Sequence, residues 1–405
     1  FEPEIEEGLQ LLRIQSEYID NRTGQIKISN VRAEINGYDL IQEYCRTNSI
    51  QRILDMPSTI FNKIKFTQKM SARNEKNERI NNVDMEDFNF RVSYQTEQDF
   101  NIMSTLSRNI ISKWSDSKKI FRNINRVRFR HAVYPIFADI SIVRSSKKMN
   151  RVPVPQYTIQ EADVFNNVEN YEIELEIDNT RVGPYTDYSE GSKLINDLRK
   201  CIRIILSGIQ NSKYPISYSE QTNIKNEYMK LLHGAEYTPR RIYPRDFVGP
   251  SSFTLQQENI MELSEDTRVI NIRNNFTVTE KADGERKLLY VSNDGKIYLI
   301  DTNMSVIFTG GKTEEKTLYN SLIDGEHIKA DKNGNYMQLY GAFDIYYINN
   351  KSVREFKFKD TSDTDELLDE TEETEKIIEK YRLELLGEFV KLLKPTNMIN
   401  MDDKS

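Results

Sequence analysis

Two groups of residues have the types and spacing to do chemistry. The first is the run Glu280-Lys-Ala-Asp-Gly-Glu-Arg286. A lysine beside an Asp-Gly turn can be aimed at a ligand. To act as a nucleophile its amine must lose a proton. At an ordinary pKa near 10.4, only about one such amine in a few thousand is neutral at pH 7. Partial burial and neighbouring cations lower that pKa. Arg286, Lys287 and a bound metal are the expected sources of positive field around Lys281. The same string reads equally as an exposed hairpin lysine with no chemistry. The second group is the strand Tyr171-Glu-Ile-Glu-Leu-Glu-Ile177. Strand side chains alternate, so Glu172, Glu174 and Glu176 share one face and Ile173, Leu175 and Ile177 the other. The plainer reading is a surface strand with its charges in water. If the three carboxylates are buried together they need a cation between them, and hard oxygen donors suit Mg²⁺ or Mn²⁺.

Positive strands accompany the acidic one. Arg126, Arg128 and Arg130 alternate, Arg91 lies in FRVSYQTE, and Asp139, Ser141 and Arg144 lie in FADISIVRSS. A barrel lined by carboxylates and arginines can hold a polyphosphate and a metal, because guanidinium forks grip phosphate oxygens and a cation offsets developing charge. Strand by strand, solvated faces remain the alternative. Further along, Glu326 ends an apolar strand after a second Asp-Gly, where a carboxylate could accept bonds from ribose hydroxyls. Phe343 precedes Asp344 in LYGAFDIYYIN and is either core or a base-stacking ring, the latter worth roughly 1–3 kcal/mol.

These residues must be positioned by mixed architecture. The first half carries many period-two segments separated by turn residues, which predicts an antiparallel sheet closed into a barrel. A helix with Leu194, Leu198, Cys201, Ile202, Ile205 and Ile209 on one stripe follows Ser192, an expected N-cap, and should pack outside that barrel. Residues from about 212 to 265 lose periodicity, and Glu236–Ser252 holds three prolines and three arginines, which reads as a linker with a basic surface. Strands then return, including FTVT and KLLYVS flanking the Lys281 turn. The acidic run 360–375 reads as solvated, and a closing helix presents Ile377, Tyr381, Leu385, Phe389 and Leu392. The expected fold class is α+β, with a barrel domain at 1–215, a linker at 216–265 and antiparallel sheets with helices at 266–405.

Composition sets outer limits. With 405 residues the chain has room for two or three domains. Lys+Arg 56 against Asp+Glu 63 gives a formal charge of −7, so nucleic-acid contact must come from local basic patches. No apolar run approaches the roughly 18 residues of a spanning helix, and no membrane is expected among the partners. Cys45 and Cys201 can form neither a disulfide framework nor a four-thiolate zinc site, and His131, His233 and His327 have no metal-ligand spacing to them. Trp114 is expected in the core. The chain opens at Phe1 without Met and shows no signal peptide, which suggests a piece of a longer protein.

Lys281-Ala-Asp-Gly-Glu-Arg286 resembles motif I (K-x-D-G-x-R) of the covalent nucleotidyltransferases, the mRNA guanylyltransferases and polynucleotide ligases. Leu322-Ile-Asp-Gly-Glu326 is similar to their motif III and Phe343-Asp344 to motif IIIa. YEIELEI, RVRFR and DISIVRSS look like strands of tunnel-fold RNA triphosphatases. A tunnel triphosphatase ahead of a guanylyltransferase is the arrangement of multifunctional mRNA-capping enzymes of large DNA viruses, and NVRAEINGYDLIQEYC and FVGPSSFTLQ look similar to segments of that group.

The resemblance implies an RNA triphosphatase tunnel lacking its first strand, followed by the N-terminal part of a guanylyltransferase. It implies that Lys281 attacks the α-phosphate of GTP and holds GMP as a phosphoramidate. Asp283, Arg286, Glu326 and Phe343 would bind the nucleotide, Arg286 and Glu326 at the sugar and Phe343 on guanine. Glu172, Glu174 and Glu176 would hold Mg²⁺ or Mn²⁺ for removal of the RNA γ-phosphate. Arg91, Arg128, Arg130 and Arg144 would bind the triphosphate, with Asp139 orienting water or an arginine. Implied partners are 5′-triphosphate RNA and GTP, with room for a cap methyltransferase domain or subunit beyond Ser405. The implied location is the host cytoplasm, in a viral factory, or the virion.

The family's earlier glutamate motif is only weakly imitated by Glu4-Ile5-Glu6, so that motif is expected upstream of Phe1. The later E-G-x-x and K-x-K motifs are not found, since Lys357 and Lys359 follow Phe343 too closely. Two other functions stay open: an ATP-dependent polynucleotide ligase, which would not explain the acidic and basic strands, and a degenerate barrel that binds RNA 5′ ends without chemistry.

Overall fold

The structure is a computed structural model that describes residues 1–3, 9–56, 63–262, 269–274, 276–359 and 381–398. The chain divides into two compact units, Phe1–Ile204 and Ile205–Ser405. Glu4–Glu6, the acidic run 360–375 and Ile377 lie outside the described residues. No described helix is long and apolar enough to cross a membrane.

Seven principal strands build the first unit: β1 (Leu9–Ile19), β2 (Val31–Asn36), β3 (Ile64–Ser71), β4 (Gln95–Phe100), β5 (Lys119–Arg130), β6 (Ile136–Ser145) and β7 (Asn170–Ile177). All pairings are antiparallel, in the order β7-β6-β5-β1-β2-β3-β4. Two short strands, Glu2–Pro3 and Ile26–Ile28, attach to β5 and β1. The path has two ends, so among the described residues the sheet is curled and open.

Alternation sorts its faces. Leu12, Ile14, Val31, Ala33, Ile35, Ile64, Phe66 and Phe121 form one core with Leu40, Ile41 and Tyr44 of α1 (Tyr38–Thr47) and Ile50 and Ile53 of α2 (Ile50–Leu54). Trp114, just after α3 (Thr105–Ser112), is buried there edge-on to Tyr44. Ser49 and Ser104 cap α2 and α3 by accepting backbone N–H groups of Arg52 and Ser107, each cap worth about 1 kcal/mol. The other sheet face is charged.

Two expectations fail here. Helix α4 (Gly191–Gln210) begins at Gly191, so Ser192 lies inside its first turn. The outward isoleucines Ile140, Ile142 and Ile173 stay exposed, so no helix among the described residues covers them.

The second unit is one antiparallel sheet of β8 (Glu285–Val291), β9 (Lys296–Asp301), β10 (Val306–Lys312), β11 (Ser321–Ala330) and β12 (Tyr336–Ile348), ordered β12-β11-β8-β9-β10 with short strands Lys351–Ser352 and Thr396–Asn397 at its edges. Leu288, Tyr290, Tyr298, Ile300 and Leu322 pack on one side with α5 (Tyr218–His233). Leu289, Val291, Ile323 and Ile345 pack on the other with Leu386 and Phe389 of α6 (Arg382–Leu393).

Helix α5 falls in the stretch 216–265 that reads as linker. Ser217 caps it, and Ile224, Tyr228 and Met229 are buried in the unit's core. Weak amphipathicity beside a Pro/Arg-rich tail hides it in sequence. The FTVT segment is not a strand either: residues 276–284 run without regular structure until β8 begins at Glu285.

Candidate active sites

The charged face of the first unit comes from register. Asp139 of β6 sits opposite Arg128 of β5 on one side and Glu174 of β7 on the other. Ser141 sits likewise between Arg126 and Glu172. Asp139 is fully buried and accepts both forks of Arg128 at 2.7 Å. Arg126 lies 2.9 Å from Asp139 and 2.7 Å from Glu174, while Arg128 also reaches Glu176 at 2.7 Å. The hydrogen bonds from Arg128 to Asp139 push the Arg128 pKa further above its already high value. Leu11, Ile124 and Val143 form a small apolar floor on the same face.

Carboxylate oxygens of Asp139, Glu174 and Glu176 all lie within 4.8 Å of one another. Three hard oxygen donors that close suit a divalent cation of the Mg²⁺ or Mn²⁺ kind. Glu172 lies outside this group and pairs with Arg122 at 2.7 Å. The expected all-glutamate set is therefore placed differently, with Asp139 beside two glutamates.

The expected triphosphate ligands also separate. Arg128 and Arg130 share the face, both guanidiniums lying over the Phe137 ring. Arg144 has the opposite parity on β6 and projects from the other face, bonding Glu169 at 2.6 Å and the Phe165 carbonyl at 2.8 Å. Arg91 sits in the separate hairpin Val83–Met85/Phe90–Val92, paired with Asp84.

Sequence reasoning missed other members of the charged face. Glu34 of β2 is buried between Arg13 at 2.8 Å, Arg32 at 2.6 Å and Lys65 at 3.6 Å. Arg13 stands opposite both Glu34 and Arg122. The alternation Leu12-Arg13-Ile14 was the available signal; which strand neighbours which was not.

In the second unit, Arg286 of β8 sits opposite Glu326 of β11. Its guanidinium donates to Asp324 at 3.1 and 2.6 Å and to the Pro250 carbonyl, and lies 5.5 Å from the Phe247 ring centroid. The Tyr346 hydroxyl donates to the same buried Asp324 at 2.6 Å. Burial, reinforced by Asp324, pushes the Tyr346 pKa up. Gly249 has φ +123°, and a Cβ there would stand 2.4 Å from Arg286 Nη2 and 3.2 Å from Asp324 Oδ2. Only glycine fits that close approach.

Lys281 does not lie in a cleft. Its side chain is 86% exposed and its amine is 3.1 Å from Asp283, itself 99% exposed. The expected positive field is also arranged otherwise. Arg286 and Lys287 project from opposite faces of β8; Arg286 is engaged by Asp324, and buried Lys287 reaches His327 Nδ1 and Glu285, each at 3.0 Å. His327 Nε2 meets Gln338 Oε1 at 2.8 Å, and burial holds the His327 pKa below its usual value.

The Lys281 segment is nevertheless tethered beside Glu326. A Cβ on Gly284 would lie 2.8 Å from Glu326 Cγ and 2.7 Å from the His327 carbonyl oxygen. Phe343, on the neighbouring strand β12, is 39% exposed. Asp344 faces Asp324 in register and takes an ion pair from Arg382 of α6 at 2.9 Å.

Comparison with known proteins adds an independent line. Residues 211–377 match the family described as mRNA capping enzyme, catalytic domain. A probable mRNA-capping enzyme of Acanthamoeba polyphaga mimivirus is 30% identical over 186 residues, 46% of this chain. The chain spans only 13% of that relative's length. A solved mimivirus capping enzyme triphosphatase covers 48% of this chain and 73% of its own, at 14% identity and a TM-score of 0.26, a likeness too weak to carry an argument. The resemblance first visible in Lys281–Arg286 and Leu322–Glu326 thus lies within a longer segment, residues 211–377, that is similar to the catalytic domain of mRNA capping enzymes.

Proposed function

We propose that this chain acts in mRNA 5′ capping, with the second unit carrying the nucleotidyl-transfer chemistry and the first removing the RNA γ-phosphate. One observation supports this most: Lys281, Arg286 and Glu326 fall inside the capping-family segment, with Arg286 and Glu326 paired across β8 and β11 and Gly284 packed against Glu326.

The deprotonated Lys281 amine attacks the α-phosphate of GTP, a P–N bond forms, and pyrophosphate leaves with the electron pair of the broken P–O bond. The diphosphate end of RNA then displaces lysine from the phosphoramidate, giving the cap. Glu326 and Arg286 are placed to hold the sugar, and Phe343 to stack on the base. Asp283 is assigned to the nucleotide with them. An amine so exposed must be brought onto the α-phosphate when nucleotide binds.

In the first unit Arg128 and Arg130, with Arg126 of the same alternating strand, would grip the triphosphate. Arg144 leaves this role because it projects from the other face, and Arg91 because it lies in a separate hairpin, paired with Asp84. Asp139, Glu174 and Glu176 are the residues that would hold Mg²⁺ or Mn²⁺, which would activate water and offset charge on the leaving phosphate. Action on RNA with GTP, in a viral factory or virion and beside a methyltransferase, belongs to the same proposal.

Exposed Lys281 favours one other reading, a 5′-end binding module without chemistry. Incubation with labelled GTP or ATP and divalent metal separates the cases. GMP attachment lost in Lys281→Ala supports capping, AMP attachment supports a ligase, and no attachment supports the binding module.

A further inference from the structure

We propose that the loop Tyr237–Pro250 carries a binding surface for single-stranded RNA, with Arg241 and Arg245 on phosphates and Tyr243 stacked on a base. The identity of the strand rests on the capping reading; the surface itself rests on the loop.

The chain is acidic overall, yet Arg240, Arg241 and Arg245 crowd six residues. Arg240 is already used. It donates to both oxygens of Asp246 at 2.7 and 3.0 Å, and Asp246 also accepts the Tyr243 N–H at 2.8 Å. Arg240 holds the Asp246 pKa down at about 2, so that carboxylate is ionised and committed at neutral pH. Arg241 and Arg245 make no ion pair among the described residues. Both guanidiniums instead approach the Tyr243 ring, 5.3 and 5.1 Å from its centroid. Tyr243 is 39% exposed. Two cations without an ion-pair partner, held over a partly exposed aromatic ring, offer what a single strand requires: charge for the backbone and, as the guanidiniums move out to phosphates, a π-face for a base.

The loop is also preorganised. Pro244 opens a tight turn over Pro244–Asp246. The buried Tyr228 hydroxyl of α5 donates to the Asp246 carbonyl and accepts the Val248 N–H, both at 2.8 Å. Little ordering remains to oppose binding. The far end of the same loop reaches Arg286: Phe247, four residues after Tyr243, lies under its guanidinium, and the Pro250 carbonyl accepts from it. An acidic peptide could neutralise the two arginines but would gain nothing from the ring, which favours RNA.

The test uses fluorescence anisotropy of the full chain with a labelled 5′-hydroxyl RNA oligonucleotide, without GTP. Each phosphate contact on a single strand contributes about 0.7 to the slope of log K against log salt. Arg241→Ala/Arg245→Ala should lower that slope by about 1.4 and weaken binding roughly ten- to thirtyfold at ~0.1 M salt. Tyr243→Ala should weaken binding severalfold with the slope unchanged. Arg199→Ala/Arg203→Ala, removing two exposed arginines of α4, should match native protein. Unchanged melting temperatures show that the variants fold. Absence of RNA binding by native protein, a double variant within twofold of native, or a silent Tyr243→Ala overturns the inference. The probe has no 5′ phosphate and no GTP is present, so failure of lysyl-GMP formation would leave this result standing, and the converse holds.

Discussion

Asp139 and Glu174 face each other across the β6–β7 ladder, and the Arg126 guanidinium spans them, 2.9 Å from the first and 2.7 Å from the second. The carboxylates proposed to hold a cation are thus also arginine partners. The two ligand roles differ in structural cost. Glu174 is half-exposed, so Glu174→Gln should keep the native melting temperature while metal-dependent phosphate release from triphosphate-ended RNA falls at least a hundredfold. Retained release in that variant would remove Glu174 from the metal site.

Asp139→Asn should behave differently. It removes the counter-charge from two guanidiniums around a fully buried position. Breaking such a buried pair costs about 3–5 kcal/mol, so the melting temperature of the first unit should fall sharply along with activity. A thermally silent Asp139→Asn would contradict the described packing.

Gly249→Ala tests the Arg286–Asp324–Tyr346 cluster. The residue has φ +123° and its added methyl would meet Arg286. The expected cost is about 1–3 kcal/mol in unfolding free energy, with a raised KM for GTP in self-labelling as Arg286 is displaced. An unchanged KM would show that Arg286 is not held in place by this loop.

His327 makes the second unit sensitive to acid. Burial lowers its folded-state pKa, so the unfolded chain binds the extra proton first as pH falls. Its contribution to stability is complete above the unfolded pKa of about 6.5 and is lost as pH drops through the folded value. Native protein should therefore lose more melting temperature between pH 7 and pH 5 than His327→Gln. Parallel losses in the two proteins would contradict the assignment.

Much of the fold was legible because strands announce themselves by alternation. Leu12/Ile14 against Arg13, and Ile173/Leu175 against Glu172/Glu174, assign faces before any coordinate is known. Pairing was not legible: nothing in sequence places Asp139 beside Glu174, or Glu34 between Arg13 and Lys65, since register is a long-range property. Parity counted from Asp139 would have excluded Arg144 without a structure. The Lys281 motif was readable as chemistry but not as conformation, because an Asp-Gly turn fixes neither a flanking strand nor the direction of a lysine beside it. Helix α5 was lost to composition, although Ile224, Tyr228 and Leu231 keep helical spacing.

The central claim is that Lys281, exposed without nucleotide, becomes the covalent carrier of GMP. Intact-mass analysis after incubation with GTP and Mg²⁺ tests it directly, with peptide mapping of the adduct. The account predicts one acid-labile GMP per chain, mapped to Lys281 and absent from Lys281→Ala, whose melting temperature stays native. Native protein that stays unmodified with the complete enzyme's GTP and metal present, or an adduct that survives Lys281→Ala, would contradict it.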